Sequence, residues 1–367
     1  MAAILLGCTL PGAMQMQAQT MAPLAPPLRI AVAGTSHGHS GWILGKKDTT
    51  TVIVTGIYET DTQLASKQAR QYNIPVSRFY TNLQQMLKTV RPDAVVAFGS
   101  IFDHLSVVEA CAPLGIHVMV EKPLAVSLAH ALKMEALANK HSIHLLTNYE
   151  TSWYPTTVKS YQLLHDSNAI GTLKKAVIHD GHQGPREIGV SNEFFNWLTD
   201  PVKNGGGALI DFGCYGANLM TYLMKGQQPL SVTAVTRQFK PHIYPKVDDD
   251  ATIIVNYPGA QCIIQASWNW PFSRKDMELY GEHGYLIAVN NNTMRVREKG
   301  GKEMVRLMTE GDVPVFSDPF NYLEAVVRKR IKPQIHDLYS LENNMIVVRI
   351  LDAARQSAAS GKTVMLK

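Results

Sequence analysis

Between residues 28 and 150, short apolar runs alternate with segments of helical length. Residues 28–33, 52–58, 94–98, 118–120 and 143–146 are apolar over a strand's length. A turn containing Gly34, Gly38 and Gly41 leads from the first run into a helix holding Trp42 and Leu44, and residues 60–72 and 103–111 have helical patterns. Near-continuous apolar strands separated by helices predict an α/β domain with a doubly wound parallel sheet. Beyond residue 150 the rhythm changes. Residues 155–165 read as a helix and 173–181 as a strand, and the runs 230–239, 252–256, 262–268, 277–280, 285–289 and 294–296 alternate like antiparallel strands. Helices near 319–329 and 340–357 close the chain, with Gly361 suited to the position just past a helix end. The second domain is therefore expected to be α+β with one large, mostly antiparallel sheet. This divides the chain into a leader and proline-rich linker (1–27), a nucleotide-binding Rossmann-type domain (28–150) and a substrate and oligomerisation domain (151–367).

Composition narrows the function. The chain has 367 residues, 46% hydrophobic and 18% charged, which is ordinary for two globular domains. The net charge of +5 is not gathered into basic runs, so a nucleic-acid partner is not expected. Cys8, Cys111, Cys214 and Cys262 are widely spaced without a CxxC pair, which argues against a disulfide framework or zinc site. The last three are expected to be buried thiols among apolar neighbours. The apolar start and the small residues after it resemble a secretory leader without its basic n-region. Export to the periplasm is the expectation, with a cytoplasmic protein as the alternative if Met14, Met16 or Met21 is the true start. No other stretch is long and apolar enough to span a membrane.

Residues 33–41, Ala-Gly-Thr-Ser-His-Gly-His-Ser-Gly, sit between a strand and a helix, where a dinucleotide fingerprint GxGxxG lies. Gly34 supplies the tight turn, while Ser36 and His39 replace the second and third glycines. Thr35, Ser36, His37, Gly38 and His39 thus form the candidate pyrophosphate loop, with donors from a helix N-terminus. Glu59 ends the second strand, about 20 residues on, where an acid binds the adenosine ribose. No arginine follows it, which favours NAD over NADP. A metal on His37 and His39 is not expected, since no acid or cysteine is near them in sequence.

Two distant segments carry the reaction chemistry. Glu121-Lys122-Pro123 closes an apolar strand, at the sheet end where such folds bind ligands. Gly205-Gly206-Gly207 leads into a helix with Asp211 and Tyr215, spaced four apart on one face. With Asp248-Asp249-Asp250-Ala251 and Gly281-Glu282-His283-Gly284 these motifs resemble, in order, the glucose–fructose oxidoreductase, inositol dehydrogenase and rhizopine-catabolism (Gfo/Idh/MocA) family. The resemblance runs from Leu28 to the C-terminus. It implies a Rossmann domain followed by an open-faced sheet domain that often mediates homodimers or homotetramers. It also implies NAD(P)-dependent oxidation or reduction of a sugar, polyol or related carbonyl. Lys122 is then placed at the nicotinamide and the reacting oxygen, with Glu121, Ser100, His104 and Asn148 in the cofactor set. Many members carry a histidine where this chain has Tyr215. A phenol ionises near pH 10 and needs an adjacent cation to serve as a base. Lys122 is the expected cation, and Asp211 is expected to orient Lys122 or a sugar hydroxyl.

Trp153, His182, Arg186 and Trp197 are candidate substrate-pocket residues, since aromatic faces and hydrogen-bonding groups suit sugars. Trp268 and Trp270 are expected to pack in the sheet or a subunit interface, and Asp248 to Asp250 to form a solvated turn. The leading function is a nicotinamide-dependent sugar or polyol oxidoreductase. The alternatives are a redox-neutral carbohydrate enzyme with retained NAD and a non-catalytic NAD-responsive binding protein.

Overall fold

The structure, a computed structural model, describes residues 26–316 and 318–366. The leader and Cys8 lie outside the described residues. Strands β1 (Leu28–Ala33), β2 (Val52–Tyr58), β3 (Phe79–Tyr80), β4 (Ala94–Ala97), β5 (His117–Glu121) and β6 (Leu145–Asn148) form a parallel sheet in the order β3-β2-β1-β4-β5-β6. Helices α1 (Ser40–Leu44), α2 (Thr62–Gln71), α3 (Leu83–Val90), α4 (His104–Cys111) and α5 (Leu128–His141) make the connections. Alternation along each strand feeds two separate cores. Ile30, Val32 and Val96 pack on the side of the second domain, and Ala31, Ala33 and Val95 on the side of α3 to α5. The strand order reverses between β1 and β4, and ligands bind at the carboxyl ends of such a switch point. Register aligns those ends: Ala33 lies opposite both Tyr58 and Ala97, Ala97 opposite Val120, and Glu121 opposite Asn148. Gly34, Lys122 and Asn148 thereby reach one edge.

The chain continues through α6 (Pro155–His165), β7 (Leu173–Gly181), α7 (Asn192–Leu198), α8 (Ala208–Asp211) and α9 (Gly213–Leu223). Then come β8 (Ser231–Arg237), β9 (Asp250–Asn256), β10 (Gln261–Ser267), β11 (Arg274–Gly281), β12 (Tyr285–Ala288), β13 (Thr293–Arg297) and β14 (Met304–Leu307). Last are α10 (Pro319–Val327), α11 (Leu341–Ser360) and β15 (Val364–Met365). Nine strands make the second sheet, in the order β14-β13-β12-β11-β7-β10-β9-β8-β15, antiparallel except for the β7–β10 pair. Helices α9 and α11 cover one face, where Ile253, Ile264 and Ala266 are buried. Helix α11 also packs on α5 and β6, tying the sheets together. No helix among the described residues is long and apolar enough to cross a membrane.

The fold corrects several expectations. β3, β14 and β15 carry no strand signal of the kind read above. Asp211 and Tyr215 do not share one helix, because the chain breaks at Phe212 between α8 and α9. Asp248 to Asp250 is not a solvated turn. Asp248 caps α8 by accepting from the N–H groups of Gly207 (3.0 Å) and Leu209 (2.7 Å), and buried Asp249 accepts from those of Phe239 (2.8 Å) and Lys240 (2.6 Å). A Cβ on Gly207 would lie 1.8 Å from the Asp248 carbonyl oxygen, so glycine alone permits this approach.

Candidate active site

A crevice of about 440 Å³ opens at the β1–β4 switch point, lined by Gly34, Ser36, Glu59, Gly99, Ser100, His104 and Trp197 among others. Gly34 has φ +78°, and a Cβ there would sit 2.7 Å from the Gly99 backbone. That glycine lets the β1–α1 loop close on the β4–α4 loop. Glu59 braces the loop from the end of β2: its carboxylate accepts from the Thr35 N–H (2.8 Å), the Thr35 hydroxyl (2.8 Å) and the Asp61 N–H (3.0 Å). Among the described residues, the N–H groups of Ser36 and Gly38 have no protein acceptor. A Cβ on Gly38 would meet nothing within 4 Å, so that loop face is open. Nearby His104 Nε2 and Asn148 Oδ1 are buried without partners. Burial lowers the His104 imidazole to about 4, against its contact with the Leu124 carbonyl oxygen. Free donors, a carboxylate at the end of β2 and unsatisfied buried polar atoms fit a dinucleotide.

Lys122 follows β5 and is 6% exposed. Its Nζ donates to the Asp211 carboxylate and, at 3.0 Å, to the Asp211 carbonyl oxygen. The other Asp211 oxygen accepts from the Trp268 indole at 3.0 Å. Burial alone would lower the lysine and raise the acid, but each partner's charge outweighs it. Lys122 ends above and Asp211 below its ordinary value, so both stay charged. An ammonium has three donors. Two are held by Asp211, and one remains for a substrate oxygen.

Lys122 was also expected to assist the Tyr215 phenol, and the two side chains do lie together. Lys122 Nζ lies over the face of the Tyr215 ring, 5.2 Å from its centroid, and Lys275 Nζ lies 5.0 Å from it. Burial, then the charges of Glu150, Cys214 and Glu121, push the phenol well above its usual value. The Tyr215 ring thus lies between two cations.

Lys275, from β11, pairs with Glu150 just after β6, and Glu150 also accepts from the Tyr154 hydroxyl at 2.6 Å. No sequence motif marks the Glu150–Lys275 pair, which joins residues 125 apart. Both border a second cavity of about 920 Å³ with Tyr154, His182, Phe212 and Phe272. Burial lowers His182 to about 4, and its Nδ1 accepts from the Gly184 N–H at 2.9 Å. Asp180, in register with Lys275, is buried with both oxygens unpartnered, and its carboxyl is pushed well above the usual range by burial first.

The other predicted residues divide. Trp153 lines a cavity with Glu150 and Tyr154 and packs edge-on against Trp42. Trp197 stands at the cofactor loop, donating to the Ser36 hydroxyl at 3.0 Å, instead of in the substrate cavity. Arg186 is exposed, lies 3.8 Å over the Phe195 ring and lines neither cavity. Trp268 is fully buried, yet it also holds Asp211. Cys111, Cys214 and Cys262 are free and buried, and burial raises their thiols.

An acid does approach the loop histidines, contrary to the sequence argument. His39 Nδ1 lies 3.1 Å from Glu121 Oε2, and the ligand-type atoms of His37, His39 and Glu121 fall within 4.8 Å of one another. His37 Nδ1, however, already accepts the His39 N–H at 3.0 Å. That bond places the neutral ring's proton on Nε2, so His37 has no free lone pair for a cation.

Comparison with known proteins agrees with this geometry. Residues 28–149 match the model of the oxidoreductase family with an NAD-binding Rossmann fold, and residues 159–287 match the GFO/IDH/MocA C-terminal domain. The trans-1,2-dihydrobenzene-1,2-diol dehydrogenase of Xenopus laevis is 31% identical over 275 residues, 73% of this chain and 76% of its own length. The Xenopus tropicalis enzyme of that name is 29% identical over 58% of this chain, and the match spans 60% of that relative's length. In fold, the chain is similar to an aldose-aldose oxidoreductase from Caulobacter crescentus complexed with glycerol (TM-score 0.77, 21% identity, 93% of this chain and 100% of that one). It is also similar to an inositol dehydrogenase homolog complexed with NAD+ from Azotobacter vinelandii (TM-score 0.79, 16% identity, 94% and 98%). With both of its domains matched and a buried lysine–aspartate pair just past the carboxyl end of β5, the chain belongs to the GFO/IDH/MocA family of NAD-binding oxidoreductases.

Proposed function

We propose that this protein interconverts a CH–OH group and a carbonyl on a sugar, polyol or related cyclic diol, using NAD. The observation that carries the reading is buried Lys122, held charged by Asp211 beside the cofactor crevice with one donor to spare. Bound NAD supplies the hydride acceptor or donor. The chain's own groups do the rest. Lys122 binds the reacting oxygen and stabilises negative charge developing on it. Asp211 and Trp268 fix Lys122 in place. Phe212 gives the substrate an apolar shelf, and Tyr154, His182 and Glu150 offer hydrogen-bonding groups along the cavity wall. Glu59 suits the adenosine ribose, and the open N–H groups of Ser36 and Gly38 suit the pyrophosphate.

The test is to purify the protein without added cofactor, denature it and identify released nucleotide by mass spectrometry. NAD, or empty protein that then binds NADH, supports the reading. Protein that takes up no nicotinamide nucleotide defeats it. Stoichiometric retained NAD also calls for a search for product formed without net NADH, as in redox-neutral cleavage of a glycoside.

A further inference from the structure

The cavity of about 920 Å³ beside Phe212 and Lys275 has a neighbour of about 620 Å³. Glu150, Tyr154 and Asn291 line both, so the two spaces meet along these three residues. Each falls within the roughly 300–1,000 Å³ of pockets that enclose a drug-sized ligand. A single sugar ring fills only part of the first and does not reach into the second.

The neighbouring cavity has the walls of a sugar site. It draws Trp42 from α1, Trp153 from the turn after β6 and Asn292 from the turn between β12 and β13. Both indoles are half-buried. His39 stacks on Trp42 at a centroid distance of 3.6 Å and an interplanar angle of 18°, and Trp153 meets Trp42 edge-on at 5.1 Å and 64°. This aromatic corner is fixed before a ligand arrives, which reduces the entropy lost on binding. Among the described residues neither indole N–H has a protein acceptor, the Asn291 side chain makes no hydrogen bond, and the Asn292 amide bonds only through its oxygen, to Thr293. Aromatic faces take the C–H faces of a sugar ring, and free amides take its hydroxyls. A purely apolar group would use the indoles and leave the amides idle. Glu150 stands at the junction. Its oxygens accept from Tyr154 and Lys275, and each keeps a lone pair for a hydroxyl beside the linkage.

We propose that the substrate is a sugar carrying a second, glycosidically linked sugar ring. The reacting ring lies on Phe212, whose centroid is 5.6 Å from Lys122 Nζ, and the second ring lies against Trp153 and Trp42. The inference rests on the oxidoreductase reading above, and adds to it the size of the substrate and a second subsite.

The test reads binding, not turnover. The chain has five tryptophans, so protein labelled with 5-fluorotryptophan and loaded with NADH gives five ¹⁹F signals, assigned by their loss in Trp42→Phe and Trp153→Phe. The probes are glucose and its disaccharides maltose, cellobiose, trehalose and gentiobiose, with affinities from calorimetry on the same NADH-loaded protein. At least one disaccharide should bind about tenfold or more tighter than glucose and shift the Trp153 and Trp42 signals, which glucose leaves in place. Trp153→Ala should weaken that disaccharide about tenfold or more, with glucose and NADH affinities within about threefold of wild type. Asn292→Ala, at an exposed position outside the core, should weaken it about threefold or more, and decides the matter if Trp153→Ala does not fold. Disaccharides that bind no tighter than glucose, or that leave the Trp153 signal unmoved, overturn the proposal. Loss of NADH affinity in Trp153→Ala also overturns it, because the cavity then belongs to the cofactor. A disaccharide that binds through Trp153 but yields no NADH when NAD is supplied defeats the oxidoreductase reading and leaves the second subsite standing.

Discussion

Asp211→Ala isolates the interaction at the centre of the site. It removes the carboxylate from Lys122 and leaves the ammonium 6% exposed, with only the Asp211 carbonyl oxygen as acceptor. Breaking a buried ion pair from one side costs about 3–5 kcal/mol, because the survivor's desolvation is no longer offset. Lys122→Met should cost a similar amount, since it strands a buried carboxylate whose remaining hydrogen bond is from Trp268. Replacing both by apolar residues, Lys122→Met with Asp211→Leu, removes both desolvation penalties and should recover most of the loss, to within about 1–2 kcal/mol of wild type. The assay is equilibrium urea unfolding of the cofactor-free protein, combined as a double-mutant cycle. Hydride-transfer activity should be lost in all three variants. Single-variant losses below about 1 kcal/mol, or a double variant as unstable as the sum of the singles, would refute the claim that a desolvated pair governs this site.

The same pair sets a pH dependence. Asp211 is depressed on folding, so its contribution is present above about pH 4 and is lost as pH falls through its lower folded value. Lys122 is raised, so its contribution holds below about pH 10 and fades only as pH rises through its folded value. A urea series from neutral pH into acid should therefore fall less steeply for Asp211→Ala than for wild type. Gly34→Ala forces a Cβ onto the Gly99 backbone at φ +78°, and about 1–3 kcal/mol of strain should appear as a lowered Tm and weakened NADH binding. Glu59→Ala frees Thr35 and removes the ribose acceptor, so NADH affinity by fluorescence titration should fall about tenfold or more, with NADPH affected less. The outer face near the β14 edge exposes Val305 (67%) and Leu307 (75%), so Leu307→Asp should dissociate any homo-oligomer seen by light scattering.

The parallel sheet was legible because its strands are buried on both faces and read as unbroken apolar runs. β3 has two residues, too few for any periodicity. β14 has no buried residue, so it lacks the alternation that reveals a half-buried strand. The cofactor loop and Lys122 were legible through motifs tied to local chain geometry. The partners that set their chemistry were not. Spacing of four placed Asp211 and Tyr215 on one helix, but the break at Phe212 turns the acid onto Lys122. An acidic triplet reads as solvated unless the backbone N–H groups converging on it are known. Glu121 with His39 and Glu150 with Lys275 are long-range encounters decided by the register of two sheets, which no local pattern encodes.

Isotope transfer tests the central claim most directly. Alcohols from the sugar, polyol and diol series, deuterated at their carbinol carbons, are incubated with the protein and NAD, and the nucleotide is examined by mass spectrometry. The account predicts reduced nicotinamide carrying one deuterium with the wild-type protein and none with Lys122→Met. Reduced nicotinamide without the label, or label transfer undiminished in Lys122→Met, would contradict it.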